Sequence, residues 1–246
     1  MFFVVKLKAS LIISVLLISV IVVPYPIVKT LAKEDEYNKT VYFTFDDGPS
    51  VVTIELLDLL KEYDVKATFF VIGATTERGH MLYKRIVDEG HTIGLHSYTH
   101  NLSQIYKSSS NYMNDLKKLD DLVFEITNVR SKICRFPGGS AVTNSSQKVK
   151  SEIAVKLKNE DYIYYDWNVS GNDDSKTPRG SSDIANRIKK SSAKVKGNDI
   201  VILLHDNTVR TTLVKAVEEL ILYFREKGCS FDKITEETKP IQFLKS

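Results

Sequence analysis

Residues 199–206 read DIVILLHD, and the fold turns on them. Ile200 to Leu204 are apolar without alternation. That pattern belongs to a strand covered on both faces, as in a parallel sheet flanked by helices. The run then stops on two ionisable residues, His205 and Asp206. Moving outward, similar β-rich runs occur at Val41–Phe45, Ala67–Ile72, His91–Leu95, Lys132–Phe136, Tyr162–Trp167 and, more weakly, Phe231–Thr235. Segments with helical spacing separate them. Examples are Ile54, Leu57 and Leu60; Leu82, Ile86 and Val87; Met113, Leu116, Leu119 and Val123; Ile184 and Ile188; and Leu213, Val217, Leu220, Ile221 and Phe224. Seven strands alternating with helices predict either a nearly closed α/β barrel or an open doubly wound sheet. Periodicity does not separate the two.

Polar residues punctuate the strand ends. Asp46-Asp47-Gly48-Pro49 follows the first run, His96-Ser-Tyr-Thr-His100 the third, and Arg135-Phe-Pro-Gly-Gly139 the fourth. Asp166-Trp167 ends the fifth and His205-Asp206 the sixth. The C-terminal ends of parallel strands converge in space, and α/β barrels build their active sites there. His96 and His100 are spaced to share one face of a helical turn, a common way to grip a transition metal. Asp46 and Asp47 are the candidate carboxylates to complete such a site. One of an adjacent pair can bind metal while the other stays free as a general base. His205 lies at the mouth of the barrel, and Asp166 is placed to orient it. His80 and His91 read as surface or strand-edge residues. Cys134 reads as a small buried hydrophobe, and the sequence does not say whether it pairs with Cys229.

The chain has 246 residues, 43% hydrophobic and 26% charged, with two cysteines. This suits one full domain held by a hydrophobic core and excludes a disulfide scaffold. Five of 34 basic and three of 31 acidic side chains fall in the first 40 residues, leaving a nearly neutral body (29 against 28). Such a body, with no basic stripe, argues against nucleic acid as a partner. The N-terminal end differs. Lys6 and Lys8 precede an apolar run from Leu11 to Val23, and Pro24 and Pro26 follow. Residues 1–32 read as an export signal cleaved near Thr30-Leu31-Ala32, or as an uncleaved membrane anchor. Either places the body outside the cytoplasm, at the cell surface or secreted. Residues 33–38 read as a linker and 39–246 as the catalytic domain.

Taken together, Thr44-Phe-Asp-Asp-Gly-Pro49, His96-Ser-Tyr-Thr-His100, Arg135-Phe-Pro137, Asp166-Trp167 and Leu203-Leu-His205 resemble the five motifs of the polysaccharide deacetylases, carbohydrate esterase family 4, in order and spacing. Ala67-Thr-Phe-Phe-Val-Ile-Gly73 and Gly90-His-Thr-Ile-Gly94 resemble structural strands of that family. The resemblance implies a distorted (β/α)7 barrel behind the N-terminal hydrophobic export segment. It implies Asp46 as general base and Asp47, His96 and His100 as ligands of a divalent metal, zinc above cobalt or nickel. Arg135 would pair with Asp46, and Asp166 would tune His205, the general acid. Trp167 and Leu203 would wall the acetyl pocket, and Pro137 would stand with them among the substrate-binding residues. The residue after Pro137, here Gly138 where many members carry Tyr, would offer its backbone N–H to the oxyanion. Leu95 stands where many members carry Asn and receives no role.

The expected activity is removal of N-acetyl groups from N-acetylglucosamine in an extracellular polymer, with peptidoglycan first. Chitin oligomers, an exopolysaccharide, N-acetylmuramic acid and acetylxylan are alternative substrates. A non-catalytic carbohydrate-binding module is the competing reading from another class. The aromatics Tyr98, Tyr164, Tyr165 and Trp167 are either sugar-stacking surfaces or barrel core. The expected state is a monomer, touching the membrane only through the N-terminal segment if that is retained.

Overall fold

Strand β1 (Thr40–Asp46) sends Val41, Phe43 and Phe45 to one face and Tyr42, Thr44 and Asp46 to the other, as the two-residue period of a strand requires. Val41, Phe43 and Phe45 join the large apolar layer between sheet and helices, while Tyr42 joins a smaller interior cluster with Phe70, Ile133, Tyr165, Val201 and Ile234. Strand β7 (Asp199–His205) repeats the division: Ile200, Ile202 and Leu204 face the helices, and Val201 faces the interior. Each fully buried Leu, Ile or Phe in these layers contributes about 1.5–3 kcal/mol. Asp46 and His205 therefore sit on the interior-facing side because of strand parity alone.

The computed structural model describes residues 38–141, 147–175, 177, 179–207 and 211–244. The expected export segment, and all of the linker but residue 38, lie outside the described residues. Among the described residues no helix is long and apolar enough to cross a membrane. The remaining strands are β2 (Thr68–Ile72), β3 (Thr92–Ser97), β4 (Ile133–Cys134), β5 (Ile163–Tyr164), β6 (Val169–Ser170) and β8 (Ser230–Phe231). The helices are α1 (Val51–Glu62), α2 (Glu77–Asp88), α3 (Leu102–Ile105), α4 (Ser109–Thr127), α5 (Gln147–Asn159), α6 (Ser181–Ser192) and α7 (Thr211–Glu226).

All strand pairs are parallel, in the order β5-β4-β3-β2-β1-β7-β6, with β8 on β1. The expected barrel is thus a curled parallel sheet rather than a closed hydrogen-bonded ring. The fifth predicted strand, Tyr162–Trp167, contains β5, and β6 is a further short strand just beyond it. Tyr165 N–H donates to Cys134 O, and Asn168 N–H donates to Val201 O, so one extended segment passes from β4 to β7. Helix α5 was not legible as periodicity, because Lys150, Ile153 and Leu157 are its only buried residues. Cys134 and Cys229 are both buried free thiols.

His91 departs from its expected strand-edge place. It is buried, its Nδ1 accepts the Ala67 N–H at 3.1 Å, and burial drives its pKa down to about 4. Helix α1 starts on a reciprocal cap in which Ser50 and Thr53 satisfy each other's backbone. That cap holds the start of α1 directly behind the Asp46–Pro49 turn.

Candidate active site

Parallel register brings the motif residues to one level. Asp46 pairs with His205 across β1 and β7. Leu95 pairs with Cys134 across β3 and β4, and Arg135 N–H bonds Leu95 O, which sets Arg135 beside His96. Asp46, Asp47, His96, His100, Leu102, Gly138, Trp167, Ser170, Asn172, Asp174, Leu203 and His205 line one pocket of about 390 Å³. Trp167 and Leu203 line that pocket. Tyr164 and Tyr165 are buried and belong to the core instead.

Arg135 is fully buried beneath this pocket. Its Nη1 donates to Asp46 Oδ1 at 2.8 Å and to Thr44 Oγ1 at 2.7 Å, its Nε to Tyr165 O at 2.9 Å, and its Nη2 to Asp166 O at 3.1 Å. The guanidinium also lies 4.1 Å above the Phe70 ring. Four hydrogen bonds and an aromatic face compensate a buried cation that would otherwise be costly. They leave Asp46 with one oxygen committed to Arg135 and the other, Oδ2, 3.8 Å from His96 Nε2.

Asp47, His96 and His100 offer ligand atoms that all lie within 4.8 Å of one another. His96 Nε2 and His100 Nε2 stand 3.3 and 3.1 Å from Asp47 Oδ1. His96 Nδ1 is 2.9 Å from Arg135 O. A carbonyl only accepts, so Nδ1 carries the proton and Nε2 of the neutral ring presents a lone pair. That lone pair meets a carboxylate oxygen that is buried and accepts no hydrogen bond from the described residues. Two acceptors turned toward each other, with a second imidazole beside them, fit a cation between them. Burial alone would raise the Asp47 carboxyl, but His100 and His96 hold it well below the usual carboxylate range. Asn207 Nδ2 donates to the other oxygen, Asp47 Oδ2, at 2.9 Å, leaving Oδ1 to face the two imidazoles.

The His pair does not share a helical turn. His96 lies on β3, and His100 lies in the following turn with φ 50°, folded back so that the rings stack at 5.3 Å. Asp115 of α4 makes that turn. Its carboxylate accepts from Ser97 Oγ at 2.6 Å, Tyr98 N at 2.7 Å, Thr99 N at 3.1 Å and Thr99 Oγ1 at 2.7 Å. His100 N–H then donates to Ser97 Oγ at 2.9 Å.

The expected partner of His205 is corrected. Asp166 is fully buried, and its carboxylate accepts from Ser140 N, Ser140 Oγ and Phe243 N. The carboxylate beside His205 is Asp173: Oδ1 is 3.1 Å from His205 Nδ1, and Oδ2 accepts His205 N–H at 2.8 Å. Asp166 ends its strand on the β4 side, whereas Asp173 follows β6, which pairs with the His205 strand. Burial alone would lower the His205 imidazole, but Asp173, with Asp46 and Asp47 behind it, pushes it up to about 9. The sequence signal was the Asp173-Asp174 pair just past Val169-Ser170, a polar end to an apolar strand.

Pro137 is also placed differently. It is buried below the pocket, and its carbonyl accepts from Tyr106 Oη at 2.8 Å. Gly138 is exposed at the pocket with φ 75°, and a Cβ there would meet nothing within 4 Å. Asp206, read with His205 only as punctuation, is fully buried behind the Asp46–Pro49 turn and donates its N–H to Asp46 O at 3.1 Å.

A profile of the polysaccharide deacetylase family matches residues 33–156. A Bacillus cereus peptidoglycan-N-acetylglucosamine deacetylase is 34% identical over 210 residues, 83% of this chain and 73% of that protein. The catalytic domain of a peptidoglycan N-acetylglucosamine deacetylase from Eubacterium rectale superposes with a TM-score of 0.76 at 31% identity, covering 83% of this chain and 92% of that one. A polysaccharide deacetylase from Bacillus cereus superposes with a TM-score of 0.72 at 33% identity, covering 83% and 97%. With the same fold, a matching profile and the motif residues gathered in one pocket, this chain belongs to the polysaccharide deacetylase family.

Proposed function

We propose that this chain is a metal-dependent hydrolase that removes N-acetyl groups from N-acetylglucosamine units of an extracellular polysaccharide, peptidoglycan first, and releases acetate. The observation that carries the reading is the convergence of Asp47, His96 and His100 between a buried, arginine-held carboxylate, Asp46, and an imidazole, His205. The relatives named for peptidoglycan favour that polymer over chitin oligomers, acetylxylan or other acetylated glycans.

Asp47, His96 and His100 would hold one divalent cation, and two imidazoles with one carboxylate suit zinc, with cobalt or nickel as substitutes. Bound there, it would supply Lewis-acid polarisation of the amide carbonyl and of a water. Asp46 takes the proton of the attacking water, since Arg135 orients it through Oδ1 and Oδ2 lies on the side of His96. The Gly138 N–H stabilises the oxyanion. His205, held protonated by Asp173, delivers a proton to the departing nitrogen, without which an amide does not expel its amine. Trp167 and Leu203 enclose the acetyl methyl group. The basic and apolar N-terminal segment supports export, as a cleaved signal or as an anchor.

The test is acetate release from purified peptidoglycan, chitin oligomers and acetylxylan, with and without a strong chelator. Chelator-sensitive release from peptidoglycan supports the proposal. Release by verified metal-free protein, or from none of the three polymers, defeats it. Protease treatment of intact cells and the N-terminal sequence of the mature chain test export and cleavage.

A further inference from the structure

The turn that carries Gly138 is held by Lys150, Asp166 and Tyr106, side chains that do not line the pocket. Gly138 and Gly139 both have positive φ, 75° and 78°, and Gly139 N–H closes the turn on Phe136 O at 2.7 Å. Gly139 cannot be replaced without collision, because a Cβ there would come within 2.8 Å of Trp167. From α5, Lys150 reaches under the turn, and its ammonium donates to Gly139 O at 2.7 Å and Ala141 O at 3.0 Å. Lys150 is only 7% exposed, an unusual place for lysine unless its donors are used. From the opposite side, the fully buried Asp166 carboxylate accepts Ser140 N–H at 2.8 Å and the Ser140 hydroxyl. From the C-terminal cap of α3, Tyr106 Oη donates to Pro137 O.

We propose that Lys150 and Asp166 are positioning residues that fix the Gly138 N–H where the oxyanion forms, acting on the turn and never touching substrate. The inference rests on the deacetylase reading and adds to it the part of the chain that shapes the oxyanion donor. A backbone N–H stabilises a developing charge only when it is held in place before the reaction, since misplacement of about 1 Å costs on the order of a hundredfold. A glycine pair is the least restrained backbone available. Gly138, with open space on its own side, has no side chain to hold it in place. Restraint must come from the carbonyls on either side, which Lys150 and Tyr106 take. Asp166 in turn is tied to the chain end: its N–H donates to Ile241 O at 2.7 Å, and its carboxylate takes Phe243 N–H at 2.7 Å. Phe243 packs edge-on against Trp167, at 5.2 Å between rings, so the same latch backs the pocket wall.

The experiment uses the full chain and Lys150→Met, which keeps length and apolar bulk but removes both donors, with Lys150→Arg as the conservative variant. In Lys150→Met, amide exchange over residues 138–141 should accelerate. Its kcat should fall by about tenfold to a hundredfold, with KM and metal content unchanged. Lys150→Arg should recover most of both. Should Lys150→Met not fold, Tyr106→Phe, which loses one hydroxyl, is expected to show the same split at smaller size. Unchanged exchange overturns the proposal, as does unchanged kcat or a loss of kcat matched by lost metal. A wild-type chain that releases no acetate from any polymer defeats the functional reading instead. The exchange measurement then still decides whether Lys150 holds the turn.

Discussion

Asp173 grips His205 twice, through the imidazole at 3.1 Å and through the backbone N–H of the same residue at 2.8 Å. One carboxylate thus fixes both the ring and the chain that carries it. It leaves Nε2 as the nitrogen turned away from the grip, toward the pocket that His205 lines.

This pairing predicts a pH dependence. The His205 pKa in the folded chain, about 9, lies above its ordinary 6.5. The protonated form is therefore favoured by folding. Its contribution to stability is complete below 6.5 and is lost as pH rises through about 9. In Asp173→Asn the burial remains and only Asp46 and Asp47 are left to oppose it, so the imidazole should titrate well below 9, moving toward 6.5. An NMR titration of metal-free protein reads this directly. The kinetic counterpart is a fall in kcat at pH 8 of up to roughly thirtyfold, the limit reached if the acid returns to its ordinary pKa. Imidazole titration unchanged by Asp173→Asn would remove Asp173 from this role.

Asp46 and Asp47 are neighbours with different surroundings, and their Asn variants should fail differently. Asp47 Oδ1 faces both imidazoles, whereas Asp46 Oδ1 is held by Arg135. Asp47→Asn should lose metal together with activity. Asp46→Asn should keep metal, as measured by elemental analysis, while acetate release falls by about 10²–10⁴-fold, the range for a positioned base. The opposite pattern of metal retention would exchange the two roles.

Much of this site could be read in advance because strand parity is readable. Apolar runs ending on Asp46, His96, Arg135 and His205 place those residues at one end of a parallel sheet, and their register follows. What escaped lies in irregular backbone. The Asp166-Trp167 pair looked like the partner of His205 because it ends a recognisable run. Yet that run lies against β4, and the chain joins the His205 strand only beyond it, through Asn168 and β6, so that the carboxylate reaching His205 is Asp173. The His96–His100 spacing suited a helix. The structure instead uses a turn, whose cause, Asp115, lies on a later helix and sends no local signal. Lys150 escaped for the opposite reason: a lysine in a polar helix reads as solvated until its burial is seen.

Asp115 supplies the next prediction. Four donors from Ser97, Tyr98 and Thr99 end on its carboxylate, and they hold the turn that delivers His100. Asp115→Ala leaves all three proposed ligands in place but releases that turn. Metal affinity should drop by about 10–100-fold, the usual effect of losing a group that orients a ligand. Excess metal should restore most of the activity. Competition titration with a chromophoric chelator measures the shift, and an unchanged affinity would leave Asp115 as a fold residue only.

Asp206 is the carboxylate whose burial should be felt in stability. It lies behind Gly48 with no room for a Cβ between them, its Oδ2 accepts from Thr53 Oγ1 at 2.5 Å, and its Oδ1 is buried without a partner among the described residues. Burial, reinforced by Asp47 and Asp46 and only partly opposed by the Thr53 hydrogen bond, pushes its pKa up to about 7 from an ordinary 3.8. Folding therefore favours the protonated acid. The stability this provides is complete below 3.8 and is lost as pH rises through about 7. Asp206→Asn keeps an acceptor for Thr53 and cannot ionise, so it should escape that loss. In denaturant unfolding of the metal-free chain, the variant should gain on the wild type between pH 5 and pH 8 by about 1–3 kcal/mol. A constant difference across that range would mean that Asp206 has the same protonation in the folded and unfolded chain.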